Sequence, residues 1–352
     1  MAARRTTAAA TLHDVARAAG VSLATASRVL NGSARKVQGE YRERVEAAAA
    51  ELGYSANPAA QAVARGTTST IALLVSDITD PYFSGIASGV IGAADAARLD
   101  VRIAVTDRDP DKELGLVRSL RGGRPRAIVL AGSRFAADRH RDALIAELQA
   151  YEASGGRVAM ISQGGLPFPS VQVDNRAGAR ALAAALAEAG YRRCAIVRGP
   201  EAVLTSSDRV AGFLEGLAAA GVSVDPSLIV EAPLTRDGAF DAAAALLAGL
   251  SADIDLVFAV TDLMAVGVAS AMRAAGVEPG AGMGVAGFDD APIAEDVHPG
   301  LTTVAVPLAA LGERAVAAAL GDEADGASVE LPTRVVLRAS TPRRTAASSP
   351  VE

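Results

Sequence analysis

From Ile71 onward the chain alternates short apolar runs with longer amphipathic stretches, and this alternation restricts the fold more than any other feature. The runs are IALLV (71–75), VRIAV (101–105), AIVL (127–130), VAMI (158–161), CAIV (194–197), LVFAV (256–260) and VAGF (285–288). Between most of them lie helix-length patterns such as NRAGARALAAALAEAG (175–190) and DLMAVGVASAMRAAG (262–276), each closed by a glycine at its C-terminal end. Buried strands alternating with helices make βαβ units and parallel sheets, and about ten such strands are too many for one small sheet. Two similar α/β lobes are therefore expected. Ligands of open α/β sheets bind at the carboxyl ends of the strands, which here means a cleft between the lobes.

The region before this alternation has a different character. Residues 1–10 are polar and small, which favours disorder. Residues 11–55 carry no strand signal and read as three short helices. In TLHDVARAAGVSLATASRVLNG (11–32), Thr11 can cap the first helix, with Asp14 in a capping-box-like position three residues on. Val15, Ala16 and Ala19 give that helix a small apolar face. Gly20-Val21-Ser22 makes a tight turn, and Ser22 can cap the second helix. The second helix turns Ala26, Val29 and Leu30 inward and leaves Leu23, Ala24, Thr25, Ser27 and Arg28 outside. An ordinary helical hairpin has the same outline. So does a helix-turn-helix, whose second helix fits the major groove. In that case Arg28 can pair with guanine or hold a phosphate, Leu23 and Ala24 can meet a thymine methyl, and Thr25 and Ser27 suit phosphate oxygens.

The charge distribution agrees with a polyanion-binding head. Residues 1–66 carry nine Lys and Arg against five Asp and Glu, a net of +4, while the rest of the chain has 25 basic and 35 acidic residues, a net of −10. A basic head on an acidic body is the footprint of a nucleic-acid module joined to a domain that does not bind polyanions. The single cysteine, Cys194, forms no internal disulfide and fits a reducing cytosol. No apolar run reaches the roughly 18 residues of a membrane span, and the N-terminal arginines lack the apolar segment of a signal peptide. A cytoplasmic location without membrane attachment is expected. The chain's histidines, His13, His140 and His298, are far apart, and no P-loop, HExxH, GxSxG or metal-spaced cysteine motif occurs. No catalytic residue, metal or cofactor is assigned. The alternatives to a DNA-binding regulator are a cytosolic two-lobed sugar-binding protein and an enzyme, either with a helical head that ignores DNA.

The string T-x-x-D-V-A-x-x-A-G-V-S-x-x-T-x-S-R-V-L-N resembles the N-terminal signature of the lac-repressor (LacI/GalR) family of bacterial transcription regulators. Val45, Ala48, Leu52, Gly53 and Tyr54 resemble that family's third helix and its ending. Further on, VSDITDPYFSGIASGV (75–90), VDNRAG (173–178), SSDRVAGF (206–213), TDLMAVGV (261–268) and GVAGFDDAPIAEDVHPGLTTVAVP (284–307) are similar to motifs of the family body. The resemblance implies an all-α helix-turn-helix head on a two-lobed, periplasmic-binding-protein-like α/β body with parallel sheets. It implies a head at 11–55, a hinge helix and linker at 56–69, an effector-binding and dimerisation body at 70–340, and a polar tail at 341–352. Within the body, lobe 1 would comprise about 70–172 and 304–330, and lobe 2 about 173–303 and 331–340.

The implied partners are a double-stranded, pseudo-palindromic DNA operator, a second copy of the chain, and a small polar effector such as a sugar. Beyond the second helix, DNA contacts are implied for Thr11, Ser22, Asn31, Asn57, Gln61 and Val63. Hinge helices of the family insert a leucine pair into the minor groove and kink the duplex; Val63 matches that position with a shorter wedge. Effector contacts are implied for Asp80, Tyr82, Phe83 and Ser162 from the first lobe, and for Thr205, Arg209, Thr261 and Asp289 from the second. Arg209 offers a planar fork for vicinal hydroxyls or a carboxylate, and Asp80 and Asp289 can accept from sugar hydroxyls. Each residue also has a structural reading: Arg209 as an ion pair, Asp289 as a helix cap, Phe83 as core. Asp80 and Thr261 stand where the family often has asparagine. The absence of tryptophan excludes a tryptophan platform for the sugar.

Overall fold

Thr11 begins the first element with the reciprocal cap its sequence suggests. Its backbone N–H donates to Asp14 Oδ2 at 3.0 Å, and Asp14 N–H donates back to Thr11 Oγ1 at 3.3 Å. The computed structural model describes residues 10–30, 38–55, 67–163, 165–249, 254–321 and 328–344, which fall in two units divided after Thr68. Positions 1–9, Asn31, the hinge at 56–66 with Asn57, Gln61 and Val63, and the tail beyond 344 lie outside the described residues.

The first unit holds α1 (Leu12–Ala18), α2 (Leu23–Leu30) and α3 (Gly39–Glu51). Its core consists of Val15, Val29 and Val45 with Ala16, Ala19, Ala26, Ala48 and Ala49. Alanine at most of these positions lets the three helices approach closely. Gly20 makes the turn between α1 and α2 at φ +63°, a left-handed conformation that glycine adopts without penalty. Ser22 caps α2 by accepting from Thr25 N–H at 3.1 Å.

The second unit is the α/β body. Lobe 1 contains β1 (Thr70–Val75), α4 (Pro81–Ala96), β2 (Asp100–Val105), α5 (Pro110–Gly123), β3 (Ala127–Ala131), α6 (Arg141–Ala153), β4 (Val158–Ile161) and β5 (Ser170–Val173). The chain then builds lobe 2 from α7 (Asn175–Glu188), β6 (Cys194–Arg198), α8 (Leu204–Ala219), β7 (Ile229–Glu231), α9 (Arg236–Gly249), β8 (Leu256–Ala259), α10 (Asp262–Ala274), β9 (Gly284–Ala286), the short α11 (Ile293–Asp296) and β10 (Thr303–Ala305). It returns to lobe 1 for α12 (Leu308–Leu320) and β11 (Val329–Leu331), and to lobe 2 for β12 (Arg334–Val336). The lobe 1 sheet runs β11-β5-β4-β3-β1-β2 and the lobe 2 sheet β7-β6-β8-β9, all pairs parallel; β10 and β12 form a separate antiparallel pair. β11 pairs with β5 from Val329 opposite Val171 to Leu331 opposite Val173, so the lobe 1 sheet extends through Leu331. The expected α/β class with a helical head and parallel sheets is the observed one.

Central strands such as β1 (TIALLV) are buried along their whole length because helices cover both faces of a parallel sheet. Helix pairs on those faces approach through glycines. A Cβ placed on Gly212 of α8 would lie 2.1 Å from the carbonyl oxygen of Arg176 on α7, a backbone atom that cannot swing aside. Gly212→Ala is therefore expected to force α7 and α8 apart, lowering stability by ~1–3 kcal/mol in urea denaturation. An unchanged midpoint would show that the two helices tolerate separation.

Candidate functional site

On the first unit, α2 exposes Leu23, Ala24 and Arg28, while Thr25 and Ser27 are half-buried; Thr11 and Ser22 are exposed at the helix starts. The Thr25 hydroxyl lies 2.8 Å from Ser22 Oγ and so belongs to the α2 cap. A residue that the sequence reading did not single out ties α3 to the turn between α1 and α2. Arg44 of α3 donates from Nη2 to the Ala19 carbonyl at 2.6 Å, satisfying a free end of α1 beside the turn. Only its basic character and its place on α3 were visible beforehand.

On the second unit, a cavity of about 960 Å³, open solvent at its mouth included, lies between the lobes at the carboxyl ends of their strands. Asp80, Tyr82, Phe83, Ser162, Thr205, Arg209, Thr261 and Asp289 all line it. The sequence-selected residues, spread over more than half the chain, are thus brought together. Loops after the strands, and the first turns of the helices α4 and α8, position them. Asp80 caps α4, accepting from Tyr82 N–H at 3.0 Å, and Thr261 caps α10, accepting from Met264 N–H at 3.2 Å. Helix N-termini and their polar caps therefore face the cavity.

Arg209 is the node of lobe 2. Its Nε donates to Asn175 Oδ1 at 2.8 Å, its Nη1 donates to the Val260 carbonyl at 2.7 Å, and its Nη2 lies 2.8 Å from Asp289 Oδ1. The guanidinium also stacks 3.9 Å over the Phe288 ring. Both readings of Arg209 hold together: it is an ion pair, and it lines the cavity. Asp289 is no helix cap. The contact with Arg209 is close but off the N–H direction, so Oδ1 keeps capacity to accept a further hydrogen bond. Its backbone sits at φ +120°, a strained value for a side-chain-bearing residue and one often stored at functional sites. Burial raises the Asp289 carboxyl well above its ordinary range, against the opposing pull of Arg209. Next to it, burial pushes Asp262 up to about 6; its carboxylate accepts from Thr303 Oγ1 at 2.6 Å and from Ala291 N–H at 2.9 Å.

Across the cavity, burial raises the Asp80 carboxyl above its usual value. Arg108 lies between Asp77 and Asp80, with Nη1 3.2 Å from Asp77 Oδ2 and Nη2 3.5 Å from Asp80 Oδ2. Phe83 is at once core and wall, 5 % exposed and edge-to-face with Tyr82 at 5.0 Å between ring centres. Ser162 donates from Oγ to the Gln163 carbonyl at 3.1 Å. Thr205 reaches the opposite lobe, its hydroxyl bonded to Ser133 Oγ and to Gln163 Nε2. Beside it Ala136 N–H donates to the Ala202 carbonyl at 2.8 Å and Leu204 N–H to the Arg134 carbonyl at 3.0 Å. The lobes are thus latched by backbone on one side of the cavity.

Arg108, Glu113, Ser133 and Arg134 line the cavity without having been selected from sequence. Asp109-Pro110 is a helix-start signal that puts Glu113 one turn into α5, facing the strand ends; its partner Arg134 lies on a different loop and carries no local signal. Among the described residues, no group of His, Cys, Asp and Glu is placed to hold a metal ion, and no helix is long and apolar enough to cross a membrane.

Comparison with known proteins gives concordant results. The family model described as bacterial regulatory proteins, lacI family, matches residues 11–57, and that of a periplasmic binding protein-like domain matches residues 183–341. The chain is 33% identical over 336 residues to the HTH-type transcriptional regulator CelR of Thermobifida fusca, spanning 93% of this chain and 95% of that protein. Among solved structures, the lac repressor dimer bound to operator and an anti-inducer aligns with a TM-score of 0.80 at 25% identity, over 95% of this chain and 100% of that one. A CelR–cellobiose complex aligns with a TM-score of 0.67 at 30% identity, over 94% and 99%.

Proposed function

The chain belongs to the lacI family of bacterial regulatory proteins, and from that premise we propose that it is a homodimeric repressor controlled by a small sugar-like effector in the interlobe cavity. The observation that carries this reading is the convergence of Asp80, Tyr82, Phe83, Ser162, Thr205, Arg209, Thr261 and Asp289 on one cavity at the strand ends. Hydroxyl-rich ligands suit such a wall: carboxylates and carbonyls accept, guanidinium and amide groups donate, and aromatic rings cover apolar faces. The similarity to an operator-bound dimer and to a cellobiose complex supports the same assignment of partners.

In this reading α2 enters the major groove. Leu23, Ala24 and Arg28 reach base edges, while Thr11, Ser22, Thr25 and Ser27 lie nearer the backbone. Asn31, Asn57, Gln61 and Val63 are assigned to DNA by resemblance alone. One helix-turn-helix reads only a few base pairs, so two copies on a pseudo-palindrome supply the specificity. An effector seated between the lobes favours the latched arrangement by its differential affinity, and the same coupling alters the hold on DNA.

Selection of bound duplexes from a randomised DNA pool tests the first half. A pseudo-palindrome with half-sites about one helical turn apart is expected. Recovery of sequences with no shared motif would overturn the repressor reading.

A further inference from the structure

Each guanidinium that lines the cavity already holds a carboxylate. Arg209 faces Asp289 at 2.8 Å, and Arg108 lies between Asp77 and Asp80 at 3.2 and 3.5 Å. Arg134 is paired most symmetrically, with only its buried Nε left without a hydrogen-bond partner. Its Nη1 and Nη2 donate in parallel to Glu113 Oε2 and Oε1 at 2.9 and 2.7 Å, with both side chains nearly buried, 13% and 11% exposed. This fork-to-fork geometry is the strongest arrangement of the pair, and it occupies both terminal nitrogens that would otherwise grip a phosphate or carboxylate. Asp109 adds a further carboxylate to the wall, so four acidic side chains (Asp80, Asp109, Glu113, Asp289) face three basic ones (Arg108, Arg134, Arg209).

An anionic ligand entering this site would lose its hydration and find, among the described residues, no arginine free of a carboxylate to replace it. A cationic ligand would find every carboxylate but the helix-capping Asp109 already matched by an arginine. We propose that Glu113 sets the charge selectivity of the cavity: by sequestering Arg134 it restricts the effector to uncharged polyhydroxy compounds and rejects their phosphorylated and acidic counterparts. This rests on the reading of the cavity as an effector site, and it adds the charge class of the ligand and a residue that enforces it. Without Glu113 the Arg134 fork, next to the Ser133–Thr205 contact, becomes an anion receptor.

The test uses the full-length protein with a panel in three charge classes. Cellobiose, glucose, galactose and ribose are uncharged; glucose 6-phosphate, ribose 5-phosphate and glucuronate are anionic; glucosamine is cationic. Binding is read by calorimetry and by the shift in melting temperature, for wild type, E113Q and the double variant E113Q/R134Q. Retained operator binding serves as the folding control. Wild type is expected to bind an uncharged member and to bind its anionic counterpart at least 100-fold more weakly. E113Q is expected to gain at least ten-fold toward the anionic counterpart, and E113Q/R134Q to lose that gain, a reversal that a merely structural role for Glu113 would not produce. Tighter binding of a phosphorylated, acidic or cationic sugar by wild type would overturn the charge assignment while leaving the effector site intact. No gain in E113Q, or a gain that survives removal of Arg134, would overturn the role of Glu113. Silence across the whole panel from a protein that still binds operator would overturn the sugar reading itself, and the charge assignment with it.

Discussion

Arg209→Met is expected to abolish the response to effector while leaving a protein that still binds operator. The substitution removes a hydrogen bond to Asn175, one to the Val260 carbonyl, the charge opposite Asp289 and the stack on Phe288. Loss of one partner of a buried charge pair costs ~2–5 kcal/mol, which corresponds to a fall in effector affinity of about 30-fold or more. Calorimetric titration with the wild-type ligand measures it; affinity within about three-fold of wild type would remove Arg209 from the site. Stability should fall as well, with a defined pH dependence. Burial already raises the folded-state value of Asp289, so protonated Asp289 suits the fold and its ionisation weakens it as pH rises above the ordinary carboxylate range, about 4. Without Arg209 nothing offsets that burial, and the window of lost stability extends further upward. The melting deficit of Arg209→Met relative to wild type should therefore be larger at pH 8 than at pH 5.

Val15→Asp should separate the two units of the chain. Val15 is fully buried in a core of three valines and five alanines, which has little stability to spare. A carboxylate there has no basic partner in that core, and burying it unpaired costs several kcal/mol. The helical unit should unfold, and operator affinity should fall by about 1,000-fold or more, to the level of non-specific binding. The body has its own core around β1, β3, β6 and β8, so its melting transition and its effector affinity should stay at wild-type values. Fluorescence anisotropy with labelled operator and calorimetry with effector make the comparison. Loss of both activities together would show that the body depends on the head for its fold.

What could be read in the sequence follows from the range of the interactions concerned. The helical unit was legible because its determinants are local: Thr11 and Asp14 cap each other three residues apart, Gly20 makes the turn, and Ser22 caps the next helix. The strands of the body were legible because parallel strands covered on both faces are continuous apolar runs. The cavity residues were legible through the family motifs and because strand-to-helix loops must meet at the cleft. The charge pairing was not. Arg108 reaches Asp77 and Asp80 across 31 and 28 residues, and Arg134 reaches Glu113 across 21, each between segments that follow different strands. Such pairs depend on tertiary placement, and nothing periodic marks them. The Glu113–Arg134 pair lines the cavity from the first turn of α5 and the loop after β3. Two assignments also had more content than the sequence suggested. Asp80 and Thr261 serve as helix caps as well as cavity wall, so substituting either disturbs α4 or α10 along with any ligand.

The central claim is that occupancy of the interlobe cavity controls the hold on DNA. It is tested most directly by measuring the Kd of the selected operator duplex by fluorescence anisotropy, with and without a saturating amount of the sugar that most raises the melting temperature. Two sites coupled through one equilibrium typically differ by ~1–3 kcal/mol, so the operator Kd is expected to change by at least about five-fold in wild type and not at all in Arg209→Met. A sugar that binds wild type, fails to bind Arg209→Met, and yet leaves the operator Kd unchanged would contradict the account.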